Sequence, residues 1–196
     1  MHPYLFTSIN NYGGLLMQMG LTQEQANAKI KDVATDLFQP RSEALRSLAL
    51  EQYSQGDYAT ARITLLELLK KGFEVQSTYI HLVRVSLMLG EINEAKQYLS
   101  HAWEGIEGSK PYVKARLLWF EIAFALLEGQ PFTSHISSLQ ETLAMDGVFV
   151  EWSMQPVLDY LAGKLSEEDT AFLTSLVAVL SYSAKFNELA PELFRR

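Results

Sequence analysis

Two short segments recur at a fixed spacing, and this repeat constrains the fold more than any other feature of the sequence. The segment from Gly56 to Ala61 (GDYATA) matches the segment from Gly90 to Ala95 (GEINEA), so both glycine and alanine recur after 34 residues. Glycine permits the tight turn that ends one helix, and the small alanine lets the next helix pack closely against it. A unit of this length with one such turn predicts a stack of helical hairpins.

Apolar residues recur at spacings of three and four residues along almost the whole chain, which predicts helices and an all-α fold. Glycine and proline fall between the periodic blocks, where helices are expected to end. Because the linkers are short, consecutive helices should be antiparallel neighbours. The predicted helices lie at about 6–19, 22–38, 41–55, 57–71, 75–89, 92–106, 110–128, 132–146, 149–163, 166–184 and 187–194.

Local signals predict where some of these helices begin and end. Thr22 is followed three residues later by Gln25, which is the pattern of a capping box. Ser166 and Asp169 form a similar signal at the start of the helix near 166. Pro40 predicts a break between the second and third helices, because the residue before a proline disfavours helical backbone angles.

The repeated segments resemble tetratricopeptide repeats, whose unit is also 34 residues long. Leu48 and Leu82 stand at the leucine position of the first helix in this frame, and Ala102 stands at a late small position of the second. The resemblance covers about residues 42–109, and a degenerate third unit at about 115–146 has its turn at Gly129. The first unit departs from the family at its first-helix aromatic position, which is leucine.

The resemblance implies antiparallel helical hairpins stacked as a right-handed α-solenoid with capping helices at both ends. Residues 1–40 would form an N-terminal helical cap, residues 41–147 the repeats, and residues 148–196 a C-terminal helical cap of one continuous helical domain. Stacks of this kind need atypical ends, since a hairpin cannot bury its apolar faces alone.

In tetratricopeptide stacks the first helix of each hairpin lines a groove, so the resemblance implies a groove that binds a protein or peptide. Its three arginines would favour an acidic peptide or a terminal carboxylate. The alternative interpretation is that the arginines are solvated surface residues and that the apolar members pack in the core. The predicted groove residues are Arg46, Leu50, Tyr53, Ile80, Arg84, Leu87, Met88, Arg116 and Trp119.

Composition argues against several other functions. The chain carries 16 Lys+Arg against 23 Asp+Glu, a net charge of −7, so no nucleic-acid partner is expected. It contains no cysteine, which excludes a disulfide, a thiolate nucleophile and cysteine-ligated zinc. His101 and Glu104 could hold a metal, but without a second such pair a surface hydrogen bond is favoured. No catalytic residue, cofactor or metal site is predicted.

The most apolar stretch, 170–184, has 15 residues and is shorter than the ~20 needed to span a bilayer, so no membrane span is predicted. We expect a cytoplasmic protein. The favoured function is a non-catalytic interaction module: a scaffold, an adaptor or a chaperone-like protein. The alternatives are a homo-oligomer that associates through its terminal helices, or a regulatory domain of a larger assembly. A homodimer would use the apolar face of 170–184, formed by Phe172, Leu173, Leu176, Val177 and Leu180.

Overall fold

The computed structural model describes residues 11–12, 14–144 and 153–181, and for residues 31–40 it describes the backbone alone. Within these ranges the regular elements are all α-helices and there is no β-strand, which confirms the predicted all-α class. The chain divides into two compact units, residues 1–47 and residues 48–196.

Eight helices have defined bounds in the described part of the chain, and residues 14–18 form a further short helical stretch before them. Most bounds lie within a few residues of the predicted ones. The helices are α1 (Gln23–Ser54), α2 (Tyr58–Lys70), α3 (Val75–Met88), α4 (Ile92–Glu104), α5 (Pro111–Glu128), α6 (Thr133–Leu143), α7 (Gln155–Ala162) and α8 (Glu167–Leu180).

The break predicted at Pro40 is wrong, because α1 continues from Gln23 to Ser54 without interruption. A proline inside a helix removes one backbone hydrogen bond and strains the preceding turn, but it does not oblige the helix to end. The two predicted capping signals are confirmed. Thr22 and Gln25 exchange hydrogen bonds between side chain and backbone, and the Ser166 hydroxyl accepts a bond from the Asp169 N–H at 3.1 Å.

The turn glycines of the repeat adopt the same geometry. Gly56, Gly90 and Gly129 have φ angles of 80°, 79° and 63°, in the left-handed region that glycine enters without a steric penalty. At each turn the residue after the glycine donates its N–H to the carbonyl five residues earlier, as in a Schellman motif. The predicted third turn at Gly129 is therefore of the same kind as the other two.

Within the unit formed by residues 48–196, helices pack against their chain neighbours and also across longer distances. The pairs α2–α3, α3–α4, α4–α5, α5–α6 and α7–α8 follow the chain, and α3–α4 and α5–α6 correspond to the second and third predicted hairpins. In addition, α3 packs against α5, α7 packs against α3, and α8 packs against α5. The last two helices therefore fold back onto the first helices of the second and third hairpins.

The α5 helix is the centre of this packing. More than half of its residues are buried, and they occur on every side of the helix, which is typical of a helix enclosed by others. Trp119 and Phe120 are among the largest fully buried side chains, and their rings meet edge to face with centroids 5.1 Å apart. The predicted C-terminal apolar face belongs to the same core, where Phe172 contacts the ring of Phe132 at 5.6 Å.

Candidate functional site

The residues predicted to line a groove on the first helices of the hairpins are largely buried. Ile80, Leu87 and Trp119 are at most 1% exposed, and Arg84 is 5% exposed. These residues belong to α3 and α5, and those helices pack against α7 and α8. The sequence led us to expect an open groove, and the structure instead encloses these four side chains within the chain. Their role in binding a partner stays a prediction.

Arg84 is engaged inside the molecule. Its guanidinium donates to the backbone carbonyl of Ser153, lies 4.3 Å from the ring centroid of Tyr53, and approaches the His81 Nδ1 at 3.4 Å. Burial raises the pKa of Tyr53, an effect that the Arg84 charge opposes. A cation held in this way connects α3 to the last turn of α1 and to the segment that begins α7.

The other predicted groove residues have more varied environments. Leu50, Met88 and Arg116 are partly exposed, and the Arg116 guanidinium lies 5.3 Å from the Tyr112 ring. Arg46 is exposed and belongs to the unit formed by residues 1–47. Among the nine predicted groove residues, the contacts described above bring Tyr53 and Arg84 together.

The C-terminal helices that cover α3 and α5 are part of the core. The Trp119 indole donates to the Leu173 carbonyl at 3.3 Å. Burial of a large aliphatic or aromatic side chain contributes about 1.5–3 kcal/mol, so the five buried apolar side chains of α8 contribute on the order of 10 kcal/mol. This is comparable to the whole stability of a domain, so we expect α8 to unfold together with the core. The five are Phe172, Leu173, Leu176, Val179 and Leu180.

A different surface lies open to solvent between α4 and α5, and we call it the α4–α5 groove. It encloses a cavity of about 370 Å³, within the range typical of ligand-binding clefts. Its α4 wall is formed by Lys96, Leu99, Ser100 and Trp103, and its α5 wall by Glu121, Phe124, Ala125 and Glu128. Gln130, Pro131 and His135 complete the lining.

Two polar contacts cross this groove at its ends. At one end the Lys96 ammonium forms an ion pair with the Glu128 carboxylate, and at the other the Trp103 indole donates to Glu121 at 2.8 Å. The pairing of 96 with 128 and of 103 with 121 shows that α4 and α5 are antiparallel here. The Lys96 ammonium also lies 5.8 Å from the Phe124 ring.

A wider depression lies at the preceding junction of hairpins. It is lined by Arg62 of α2 and by residues 90–94 and 97, and it has a volume of about 730 Å³. The Arg62 guanidinium pairs with both Glu91 and Glu94, the latter at 2.9 Å. A hydrogen bond with Glu94 raises the pKa of Glu91, and the same bond is the largest cause of a lowered pKa at Glu94.

Sequence reasoning missed both junctions, although a signal for them was present. Arg62 and Lys96 are 34 residues apart, so they occupy equivalent repeat positions. On α4, the wall of the groove follows the helical spacing i, i+3, i+4 and i+7 from Lys96 to Trp103. Attention to the second helix of each hairpin, as well as to the first, would have selected these positions.

The described residues contain no group of three or more metal-ligating side chains. As predicted, the His101 Nδ1 and the Glu104 carboxylate form an exposed contact at 3.3 Å. Among the helices that the structure describes, none has both the length and the apolar character needed to cross a bilayer.

The chain was compared with known protein families, with curated proteins and with solved structures, and nothing in these three comparisons matches it.

Proposed function

We propose that this chain is a non-catalytic binding module, built from helical hairpins that resemble tetratricopeptide repeats and serving as a scaffold or adaptor for a protein or peptide. The observation that carries the proposal is the regular junction between hairpins. Three turns with the same glycine geometry set the hairpins one after another, and Arg62 and Lys96 each form an ion pair with the next hairpin.

Depressions between consecutive hairpins support a binding function. Two such depressions lie along the described surface, with volumes of about 370 and 730 Å³. The smaller one combines apolar side chains with charged groups at its edge, the mixture that protein interfaces use for affinity and for orientation. The larger one is lined mainly by polar and charged side chains. The α7–α8 pair packs its apolar side chains against α3 and α5, which extends the core on which the hairpins depend.

A peptide library displayed on phage and selected against the complete chain tests the proposal. We expect selected peptides to bind saturably with one-to-one stoichiometry and Kd in the micromolar range, about −8 kcal/mol. Titration calorimetry measures this directly, and circular dichroism establishes that the chain is helical during the measurement. A folded chain that yields no saturable binder would contradict a peptide-binding function.

A further inference from the structure

The walls of the α4–α5 groove define a short, bounded site. Each wall spans eight residues of helix, about 10 Å at 1.5 Å per residue, and a polar contact closes each end. Between these ends Leu99, Phe124 and Ala125 form an apolar floor, and they are 3%, 3% and 8% exposed. The site therefore fits one large apolar side chain and the residues next to it, rather than a long helix.

The charge of the groove favours one kind of partner. Lys96 is paired with Glu128, so its charge is compensated inside the groove. The partner of Glu121 in the described part of the chain is the neutral Trp103 N–H, which leaves the carboxylate charge uncompensated. Glu121 is also half-buried, and a charge in such a position interacts more strongly with an incoming ion than a fully exposed one.

We propose that the α4–α5 groove is the docking site of this module and that its partner is a basic peptide segment. In that segment one large apolar side chain lies in the groove over Leu99 and Phe124, and a neighbouring Lys or Arg pairs with Glu121. This inference rests on the proposed binding function and gives it a location and a ligand chemistry.

The proposed basic partner differs from the acidic partner that the sequence suggested. That suggestion depended on arginines along the first helices, and Arg84 is buried against Tyr53 and Ser153. An acidic segment in the α4–α5 groove would instead meet the carboxylates of Glu121 and Glu128. The net charge of −7 adds a weaker, longer-range preference for a basic ligand.

Three fluorescent peptides of equal length test the partner chemistry by anisotropy with the complete chain. The first has a central Phe flanked by Lys, the second has the same Phe flanked by Glu, and the third has Ala in place of Phe between Lys residues. We expect the first to bind at least about tenfold more tightly than either of the others, the effect of one charge-assisted contact or one buried side chain. Added salt should weaken it.

Two variants test the location. Ser100 is exposed in the groove wall, so Ser100→Trp fills the groove without disturbing the core, and Glu121→Gln removes the charge but keeps an oxygen that accepts the Trp103 bond. Each should weaken the first peptide about tenfold. The matched control is Ser137→Trp, an exposed serine on α6 outside the groove lining, which should leave the Kd unchanged.

The outcomes separate this inference from the function on which it rests. If library-selected peptides bind the chain but Ser100→Trp leaves their Kd unchanged, the location is wrong and the binding module stands. If the Glu-flanked peptide binds as tightly as the Lys-flanked one, the partner chemistry is wrong. If no peptide binds saturably to the folded chain, both proposals fail.

Discussion

Arg62 and Lys96 stand 34 residues apart, and each forms an ion pair with the next hairpin beside its glycine turn. Arg62 pairs with Glu91 and Glu94, next to Gly90, and Lys96 pairs with Glu128, next to Gly129. The two cations therefore occupy equivalent repeat positions, but their partners do not, since Glu91 and Glu94 follow their turn glycine and Glu128 precedes its own. Arg62 and Lys96 lie on the second helices of their hairpins, and the second helix α4 also forms one wall of the α4–α5 groove.

These ion pairs should contribute little to stability. The Lys96 and Glu128 side chains are 33% and 51% exposed, and a pair this exposed contributes up to about 1 kcal/mol. We expect Lys96→Met to lower the free energy of unfolding by less than about 1 kcal/mol, and high salt to reduce the difference. Urea denaturation of Lys96→Met, Glu128→Gln and the double variant gives the coupling energy. A coupling of several kcal/mol would contradict this interpretation of the contact.

The turn glycines should contribute through backbone geometry alone. No atom lies within 4 Å of a Cβ added at Gly90, so Gly90→Ala adds no clash, but its φ of 79° is unfavourable for alanine. We expect destabilisation of about 1 kcal/mol. Gly163→Ala is the control, since Gly163 has a helical φ of −75° and the added Cβ would make ordinary contacts. That variant should be neutral or slightly stabilising in the same urea assay, and equal losses in both would contradict the argument.

The sequence was sufficient to predict the hairpins because their determinants are local. Turn glycines, capping residues and apolar spacing act within a few residues of where they stand, and the predicted turns at Gly56, Gly90 and Gly129 have the expected hydrogen bonds. The continuous α1 is the exception, because the local effect of Pro40 did not decide where the helix ended.

The burial of the predicted first-helix groove residues could not be foreseen in the same way, because it depends on contacts between distant parts of the chain. Arg84 meets Ser153, 69 residues later, and Trp119 meets Leu173, 54 residues later. The apolar face of 170–184 was visible in the sequence, but periodicity does not say what covers an apolar face. Of that face, Phe172, Leu173, Leu176 and Leu180 lie buried in the core of the chain itself. A homodimer through this face stays a prediction.

Arg84 should be important for stability although it is charged. Its guanidinium satisfies the Ser153 carbonyl and stacks on Tyr53, and its 5% exposure leaves little room for water to replace these contacts. We expect Arg84→Leu to cost about 2–4 kcal/mol, from the lost hydrogen bond between the charged guanidinium and the Ser153 carbonyl and from the lost cation–π contact. Arg84→Lys should recover only part of this, since an ammonium lacks the planar fork.

Arg46 is exposed, and the stability of Arg46→Leu, measured by thermal unfolding, provides the comparison for Arg84→Leu. We expect this exposed position to tolerate the change better than Arg84, which is 5% exposed. If Arg84→Leu were as well tolerated as Arg46→Leu, Arg84 would not hold the α7 segment in place. It would then be available to a ligand, as the sequence first suggested.

Tyr53 should make stability fall at alkaline pH. Burial raises its pKa in the folded chain above the ordinary value of 10.0, so the folded state keeps the phenol proton where the unfolded state loses it. The stabilisation is complete below the unfolded pKa and is lost as the pH rises through the folded pKa. Tyr53→Phe should therefore reduce the loss of stability above pH 10.

Tyr98→Phe is the comparison variant. The pKa of Tyr98 is also raised, by burial first and then by Glu94, but its hydroxyl differs from that of Tyr53 in hydrogen bonding. Tyr98 donates to Glu94 at 3.2 Å, whereas the Tyr53 hydroxyl makes no hydrogen bond of normal geometry in the described structure and lies beside the Arg84 guanidinium. At neutral pH we expect Tyr53→Phe to be nearly neutral and Tyr98→Phe to cost about 0.5–1.5 kcal/mol. Chemical denaturation across pH 7–11 measures both effects. An unchanged alkaline slope in Tyr53→Phe would contradict the assignment.

A substitution at Phe172 tests whether α8 belongs to the permanent core. Its side chain is 1% exposed and contacts the Phe132 ring, so Phe172→Ala should cost about 3–5 kcal/mol. Val177 on the same helix is partly exposed, and Val177→Ala should cost much less. Hydrogen exchange gives the sharper measurement. If α8 is core, Phe172→Ala should accelerate exchange of α3 and α5 amides together with those of α8, because all three then open in one cooperative unit. Faster exchange confined to α8 would instead identify α8 as a detachable cover. The buried residues of the predicted groove, such as Ile80 and Trp119, would then be the better candidates for the binding surface.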